Sequence, residues 1–224
     1  MENELQKDFI KSDILPDDSL KIFEQFQNFK EFMMRYNCAI REVKTKFEVL
    51  NDDLSVVQNR NPIEMIKSRI KSPESLYKKL KRLNLDINFK NVEENISDIA
   101  GVRVICSFID DIYKVAEMLA KQDDVKIIKI KDYIKNPKPN GYRSYHMIVE
   151  IPVFFSNKKQ NVKVEVQLRT IAMDFWASLE HQMKYKKEIN GADKLVNRLK
   201  TCADSIAEID NEMQNIDKAL ESLS

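Results

Sequence analysis

Residues 131–170 read KDYIKNPKPNGYRSYHMIVEIPVFFSNKKQNVKVEVQLRT. A loop rich in Lys, Asn and Pro leads into two runs of β-forming residues, 145–155 and 162–169, separated by a polar stretch over 156–161. Alternating apolar and polar residues split by a polar turn predict an antiparallel hairpin. In the second run Val162, Val164, Val166 and Leu168 point to one face, and Lys163, Glu165, Gln167 and Arg169 to the other. Taken alone, that polar row is what an ordinary solvated sheet face shows, because period-2 alternation carries no chemistry by itself.

Working outward from the hairpin, residues 101–108 form a mainly apolar run with Val102, Val104, Ile105, Cys106 and Phe108, the pattern of a central strand. Arg103 sits inside it, and a charged side chain there needs a partner or a ligand. Residues 110–122 read as a helix and 125–131 as another strand. This order predicts an α/β fold with a mixed, partly antiparallel sheet covered by helices. Earlier in the chain, Ser72 is a good N-cap followed by Pro73 at the first helical position. The helix they open is expected to bury Leu76, Leu80 and Leu83. Ser75, Lys79 and Arg82 share a second face of it, with Arg69 and Lys71 just before its start. Helix N-termini suit phosphate, although a basic helical face is commonly just solvated.

Both ends of the chain carry long helical seams. Ile22, Phe26, Phe29, Met33, Tyr36, Ile40, Val43, Phe47, Leu50, Leu54 and Val57 recur in alternating steps of four and three, which predicts helix over 18–57. Leu195, Leu199, Cys202, Ile206, Ile209, Met213, Ile216 and Leu220 repeat the pattern. Two such seams can pack on each other or between subunits, and they lead us to expect self-association. Between them, Thr170 opens a helix with Ile171, Phe175, Leu179 and Met183 at four-residue steps; Trp176 is expected in the core, and Asn190-Gly191 closes the helix. The expected organisation is a helical region over 1–60, beginning with a loose polar segment over 1–16, a core over 61–190, and a C-terminal oligomerisation helix over 191–224.

The totals exclude several classes. A net charge of +1 gives no global field for nucleic acid or membrane. Three cysteines and two histidines offer no zinc spacing. No signal peptide is expected, and no run of about 18 apolar residues exists to span a bilayer, so the expected setting is cytoplasmic, without a membrane partner. With three glycines and neither GxxxxGK[ST] nor GxGxxG, a P-loop or Rossmann site is not expected. What remains is local. Asp98 precedes the central strand and Glu165 lies on the hairpin's polar row, an arrangement that suits Mg²⁺ with further oxygens from phosphates. Basic residues at 69, 71, 79, 82, 103, 131, 135, 138 and 143 balance a highly anionic substrate. Tyr142, beside Gly141, offers a flat ring for a base.

Five ordered motifs, RIKSPESLYKKLKR, DIAGVRVICSF, KDYIKNPKPNGYRSYH, EVQLRT and MDFWASLEHQMKYK, closely resemble the synthetase domain of the RelA/SpoT family, and in particular its small stand-alone alarmone synthetases. The resemblance covers 62–187 and implies a nucleotidyltransferase-like synthetase domain. It implies transfer of pyrophosphate from ATP to the 3′-hydroxyl of GDP or GTP, giving AMP and ppGpp or pppGpp. Arg69 and Arg103 would sandwich adenine, as planar guanidinium groups suit stacking. Lys71, Ser75, Lys79 and Arg82 would hold the ATP phosphates, with Arg82 also assisting catalysis. Asp98 and Glu165 would hold Mg²⁺, and Glu165 would take the acceptor proton. Tyr142 would stack on guanine; Lys131, Lys138 and His146 would meet the acceptor's phosphates, with Gln167 nearby. Asp174 would accept from guanine N1–H and its 2-amino group together. The resemblance also implies a homotetramer and RNA as a further partner. The hydrolase domain of long members uses a His-Asp metal motif; His146 and His181 both fall in the synthetase region, so no alarmone hydrolysis is expected. Two rival readings are a catalytically weak or silent nucleotide- or RNA-binding module on the same fold, and a purely structural helical assembly.

Overall fold

The computed structural model describes residues 17–58, 60–185 and 192–223. The expectations for 1–16 and for Asn190-Gly191 lie outside the described residues. Helix α1 (Asp17–Gln58) is followed by strand β1 (Ile63–Ile70), helices α2 (Pro73–Arg82) and α3 (Phe89–Asn95), and strand β2 (Ala100–Cys106). Helix α4 (Ile109–Ala120) then leads to β3 (Lys126–Asp132), β4 (Tyr145–Phe154), β5 (Lys159–Thr170), α5 (Ile171–Tyr185) and α6 (Ala192–Glu221).

The strands form one mixed sheet in the order β1-β2-β5-β4-β3. The hairpin β4–β5 is antiparallel, and β5 lies parallel to β2 at the sheet's centre. Strand β1 was an unassigned segment in the sequence; its alternation is masked by polar residues on both faces because it is an edge strand. The register sorts the side chains. Val102, Val166 and Met147 align on one face, as do Val104 with Leu168 and Ala100 with Val164 and Val149. Against this face pack α1, through Phe32, Tyr36, Val43 and Phe47, and α4, through Ile112, Val115 and Leu119. Each such fully buried large side chain contributes about 1.5–3 kcal/mol relative to exposure. The opposite face carries Lys67, Arg103, Gln167, His146 and Lys131 in one continuous row across all five strands. Arg69, Gly101 and Glu165 form the row beside it.

Two expectations about burial need correction. Leu83 is 43% exposed, because α2 ends at Arg82 and Leu83 is its C-cap. Val57, at the far end of the α1 seam, is 70% exposed, while Phe32 and Ala39, off that seam, are buried. In α5 the stripe Ile171, Phe175, Leu179 and Met183 faces outward, since Met173, Trp176 and Ala177 take the inward face. The α6 seam is divided. Ala203 is buried with Leu199 and Ile206 beside it, but further along Asp210 and Gln214 turn inward while Ile209, Met213, Ile216 and Leu220 stay exposed. Polar anchors explain that rotation: Thr170 Oγ1 donates to Asp210 Oδ2 (2.7 Å), the Asp110 amide donates to Gln214 Oε1 (2.8 Å), and Lys218 pairs with Asp110 (2.7 Å). The two terminal seams serve different neighbours, α1 the sheet and α4, and α6 the helices α5 and α4. Among the described residues no helix is long and apolar enough to cross a membrane.

Candidate active site

At one end of the polar face, Lys67, Arg69, Gly101, Arg103 and Gln167 line a cavity of about 130 Å³. Gly101 stands in the row between Arg69 and Glu165, so the cavity floor has no side chain there. Arg69 is exposed and Arg103 half-buried. Burial and the nearby Arg169 charge weaken Arg103's hold on its proton; Asp174 acts the other way, and Arg69 adds to the weakening. Arginine charges crowded in this way favour an anion.

Next to this cavity, the Ser72 side chain accepts from the Ser75 amide and caps α2, which points Ser75 and Lys79 along one half-buried face. Lys71 Nζ donates to Asp98 Oδ2 (2.6 Å) and Lys79 Nζ to Asp98 Oδ1. Burial alone would raise the Asp98 carboxyl, but the two lysines outweigh it and hold it below the usual carboxylate range. Arg82 lies exposed one turn beyond Lys79.

Glu165 occupies the middle of the face. Its Oε1 faces His146 Nδ1 at 3.4 Å, and its Oε2 accepts from Gln167 Nε2 (2.8 Å). Burial pushes its carboxyl up, yet His146 and Gln167 more than offset this, and the net direction is down; the Asp98 charge acts upward. Both carboxylates are therefore ionised near neutral pH and feel each other's charge. Two such oxygen donors fit a hard divalent cation that takes its remaining ligands from water and phosphate. No cluster of three or more metal-ligating side chains exists among the described residues.

The loop over 133–144 forms the other end. Asp132 Oδ1 accepts from the amides of Ile134 and Lys135, and the Gly141 amide donates to Lys138 O (2.8 Å). Asn140 ties the loop to α5 by donating to Glu180 Oε1 (3.0 Å). Gly141 has φ +88°, and a Cβ there would lie 2.5 Å from Ala203 Cβ of α6, so glycine is required twice over. This locked turn presents Tyr142 to Tyr133 and His146, with edge-to-face ring centroids at 6.0 and 5.8 Å. Lys138 Nζ lies over both tyrosines, 4.7 and 4.5 Å from their centroids. The Tyr142 oxygen accepts from Arg169 Nη2 (2.8 Å), which leaves its own hydrogen for His146 Nε2, also at 2.8 Å. In a neutral imidazole this arrangement puts the hydrogen on Nδ1, facing Glu165.

Lys131 is exposed on β3 as the register partner of His146. Asp174 Oδ1 accepts from Arg103 (3.1 Å) and Arg169 (2.9 Å), and its Oδ2 lies 3.7 Å from Lys67 Nζ. Sequence patterning does not single out Lys67 or Tyr133, and it shows Arg169 only as one of four residues on the polar row. Lys67 sits two residues before Arg69 and Tyr133 lies inside the same loop as Tyr142, so spacing could have suggested both; nothing in the sequence tells that Arg169 is buried. Lys163, the first residue of the polar row, leaves the site and donates to Glu93 O (3.4 Å).

A cavity edged by arginines, two ionised carboxylates and an aromatic box on one sheet face match the motif order read from the sequence. Residues 68–190 match the family model described as a region found in RelA / SpoT proteins. This chain belongs to the RelA/SpoT family. A GTP pyrophosphokinase of Bacillus subtilis (strain 168), YwaC, is 45% identical over 195 residues, covering 87% of this chain and 93% of that protein. The small alarmone synthetase 1 of B. subtilis, in the crystal structure bound to its product pppGpp, shares the fold with a TM-score of 0.79 at 34% identity, over 86% of this chain and 98% of that one. The same synthetase bound to AMPCPP gives 0.74 at 31% identity, over 88% and 99%.

Proposed function

We propose that this protein is a GTP pyrophosphokinase that makes alarmones by moving pyrophosphate from ATP to the 3′-hydroxyl of GDP or GTP, releasing AMP. The observation that carries this is the order of parts across one sheet face: arginine-edged cavity, paired carboxylates, aromatic box. In this reading adenine lies between Arg69 and Arg103 in the cavity. Lys71, Ser75, Lys79 and Arg82 take the ATP phosphates, and Lys71 and Lys79 exchange Asp98 for phosphate oxygens as they do so. Asp98 and Glu165 would hold Mg²⁺, which would supply positive charge to the phosphate oxygens. Glu165, ionised and held by His146 and Gln167, accepts the proton of the acceptor 3′-hydroxyl as that oxygen attacks the β-phosphorus. Arg82 balances charge on the leaving AMP oxygen. Alignment of two nucleotides on one rigid sheet supplies much of the remaining advantage.

On the acceptor side, guanine stacks on Tyr142 in place of the Lys138 ammonium. Stacking on an aromatic ring is worth about 1–3 kcal/mol per base, against about 0.5–1 kcal/mol for an exposed cation–π contact, so the exchange is favourable. It frees Lys138 to join Lys131 on the acceptor phosphates, and His146 joins them only by exchanging its Tyr142 or Glu165 contact for a phosphate oxygen. Asp174 reads the guanine edge through Oδ2, since Oδ1 is taken by two guanidinium groups. The exposed stripes on α5 (Phe175, 58%) and α6 (Ile209, 62%) support self-association, for which the homotetramer is our reading. Sedimentation showing a monomer independent of concentration would refute it.

The test of function is incubation with ATP, Mg²⁺ and either GDP or GTP, with the nucleotides resolved. AMP should appear in step with guanosine tetra- or pentaphosphate. Absence of both across a range of conditions would leave the rival reading, a silent nucleotide- or RNA-binding module.

A further inference from the structure

Arg169 is 4% exposed, yet it is charged and sits at the end of β5, where an apolar residue would cost nothing to bury. Its guanidinium meets three elements at once. Nη1 donates to Asp174 Oδ1 on α5 (2.9 Å); Nη2 donates to the Tyr142 hydroxyl on the acceptor loop (2.8 Å) and to Gln167 Oε1 on β5 itself (3.1 Å). The same guanidinium lies 5.2 Å from the centroid of the Tyr142 ring. Its burial keeps it from the cavity that Arg69 and Arg103 line, and it is not among that cavity's lining residues.

We propose that Arg169 is a positioning residue for the acceptor: its planar fork sets the distance and angle between the Tyr142 ring and the Asp174 carboxylate, the two groups that would take the face and the edge of guanine. This rests on the acceptor reading given above. A guanidinium suits the task because its two terminal nitrogens hold fixed directions, whereas an ammonium is a point charge on a flexible stem and cannot hold two acceptors at a set spacing. The Tyr142 hydroxyl gains its role here too. It does not stack, but it is the handle by which Arg169 fixes the plane of the ring. A purely structural Arg169, present only to neutralise Asp174, would have no need of the Tyr142 contact, and its loss would lower stability without favouring one substrate.

Tyr142→Phe keeps the stacking ring and removes the handle. It should raise KM for GDP or GTP about ten-fold through the lost charge-assisted hydrogen bond from Arg169, with KM for ATP unchanged within about two-fold; the hydroxyl's other bond, to His146 beside Glu165, is read in kcat. Arg169→Lys should raise the acceptor KM as well, and the double variant should fall short of the product of the two single losses, because the Arg169–Tyr142 bond is shared by both and can be lost only once. An acceptor KM equal to wild type in Tyr142→Phe, or equal losses for ATP and acceptor, overturns the proposal. So does full additivity in the double variant. If Arg169→Lys does not fold, the Tyr142→Phe kinetics decide alone. Tyr142→Ala separates the two levels. If it leaves the acceptor KM unchanged, the acceptor reading itself fails; if it raises that KM while Tyr142→Phe does not, only the role of Arg169 fails.

Discussion

Lys71 and Lys79 reach Asp98 as charges on long side chains, and Arg69 and Arg82 stand exposed beside them. Across the same sheet face, Tyr142 is held by a glycine turn, a helix against its loop, two aromatic neighbours and a buried arginine. The half proposed for the donor is thus built of ion pairs that can be re-formed around phosphate. The half proposed for the acceptor is built of packing and directional hydrogen bonds. A lysine can trade one oxyanion for another and keep its pairing, whereas a ring position is kept only by close contacts. Polyphosphate needs charge to follow it, and a base needs a surface of set orientation.

Three experiments would break or sharpen this contrast. The largest effect is expected where the halves meet. Glu165→Gln removes the proposed acceptor of the 3′-hydroxyl proton, which is also a proposed metal ligand, and should cut turnover by about 10³-fold or more while circular dichroism and melting stay near wild type. Retained activity would remove Glu165 from the mechanism. Next, Gly141→Ala strikes the half proposed for the acceptor. A φ of +88° and the overlap with Ala203 should cost about 2 kcal/mol, read as a lower melting temperature, and acceptor KM should rise more than ATP KM. A rise in both alike would mean that the loop does not belong to one half.

The smallest effect concerns the exchangeable half. Asp98 has its folded-state pKa lowered from an ordinary 3.8 by Lys71 and Lys79, against burial. A depressed carboxylate adds stability that is fully present above its unfolded value and is lost as pH falls through the folded value. Wild type should therefore exceed Asp98→Asn in denaturant midpoint at neutral pH, and the gap should close only below pH 3.8. A gap that closes between pH 5 and 7 would show that another group provides it.

Much of this was legible residue by residue. Alternation in 162–169 specifies a strand with Glu165, Gln167 and Arg169 on one face, and the register places them there. The Ser72-Pro73 cap and the basic face of α2 follow from local rules, since a cap and a helical turn involve residues within four positions of each other. Arg103 was expected to need a partner, and Asp174 supplies it from 71 residues away. Less was legible where the neighbour is remote. The outward stripe of α5 and the inward Asp210 and Gln214 of α6 invert what periodicity suggests, because an amphipathic pattern shows that a helix has two faces but not which one meets the core.

Local spacing along the chain was enough for most of the elements, though not for β1 or α3, and for the polar row of the hairpin and the residue types the proposed chemistry needs. It took the folded chain to show that β1 brings Lys67 and Arg69 beside Arg103, that α6 locks the loop over 133–144 through Ala203 against Gly141, and that Arg169 is buried between Asp174 and Tyr142. These are contacts between distant segments, set by strand order and helix docking, and no local pattern encodes them.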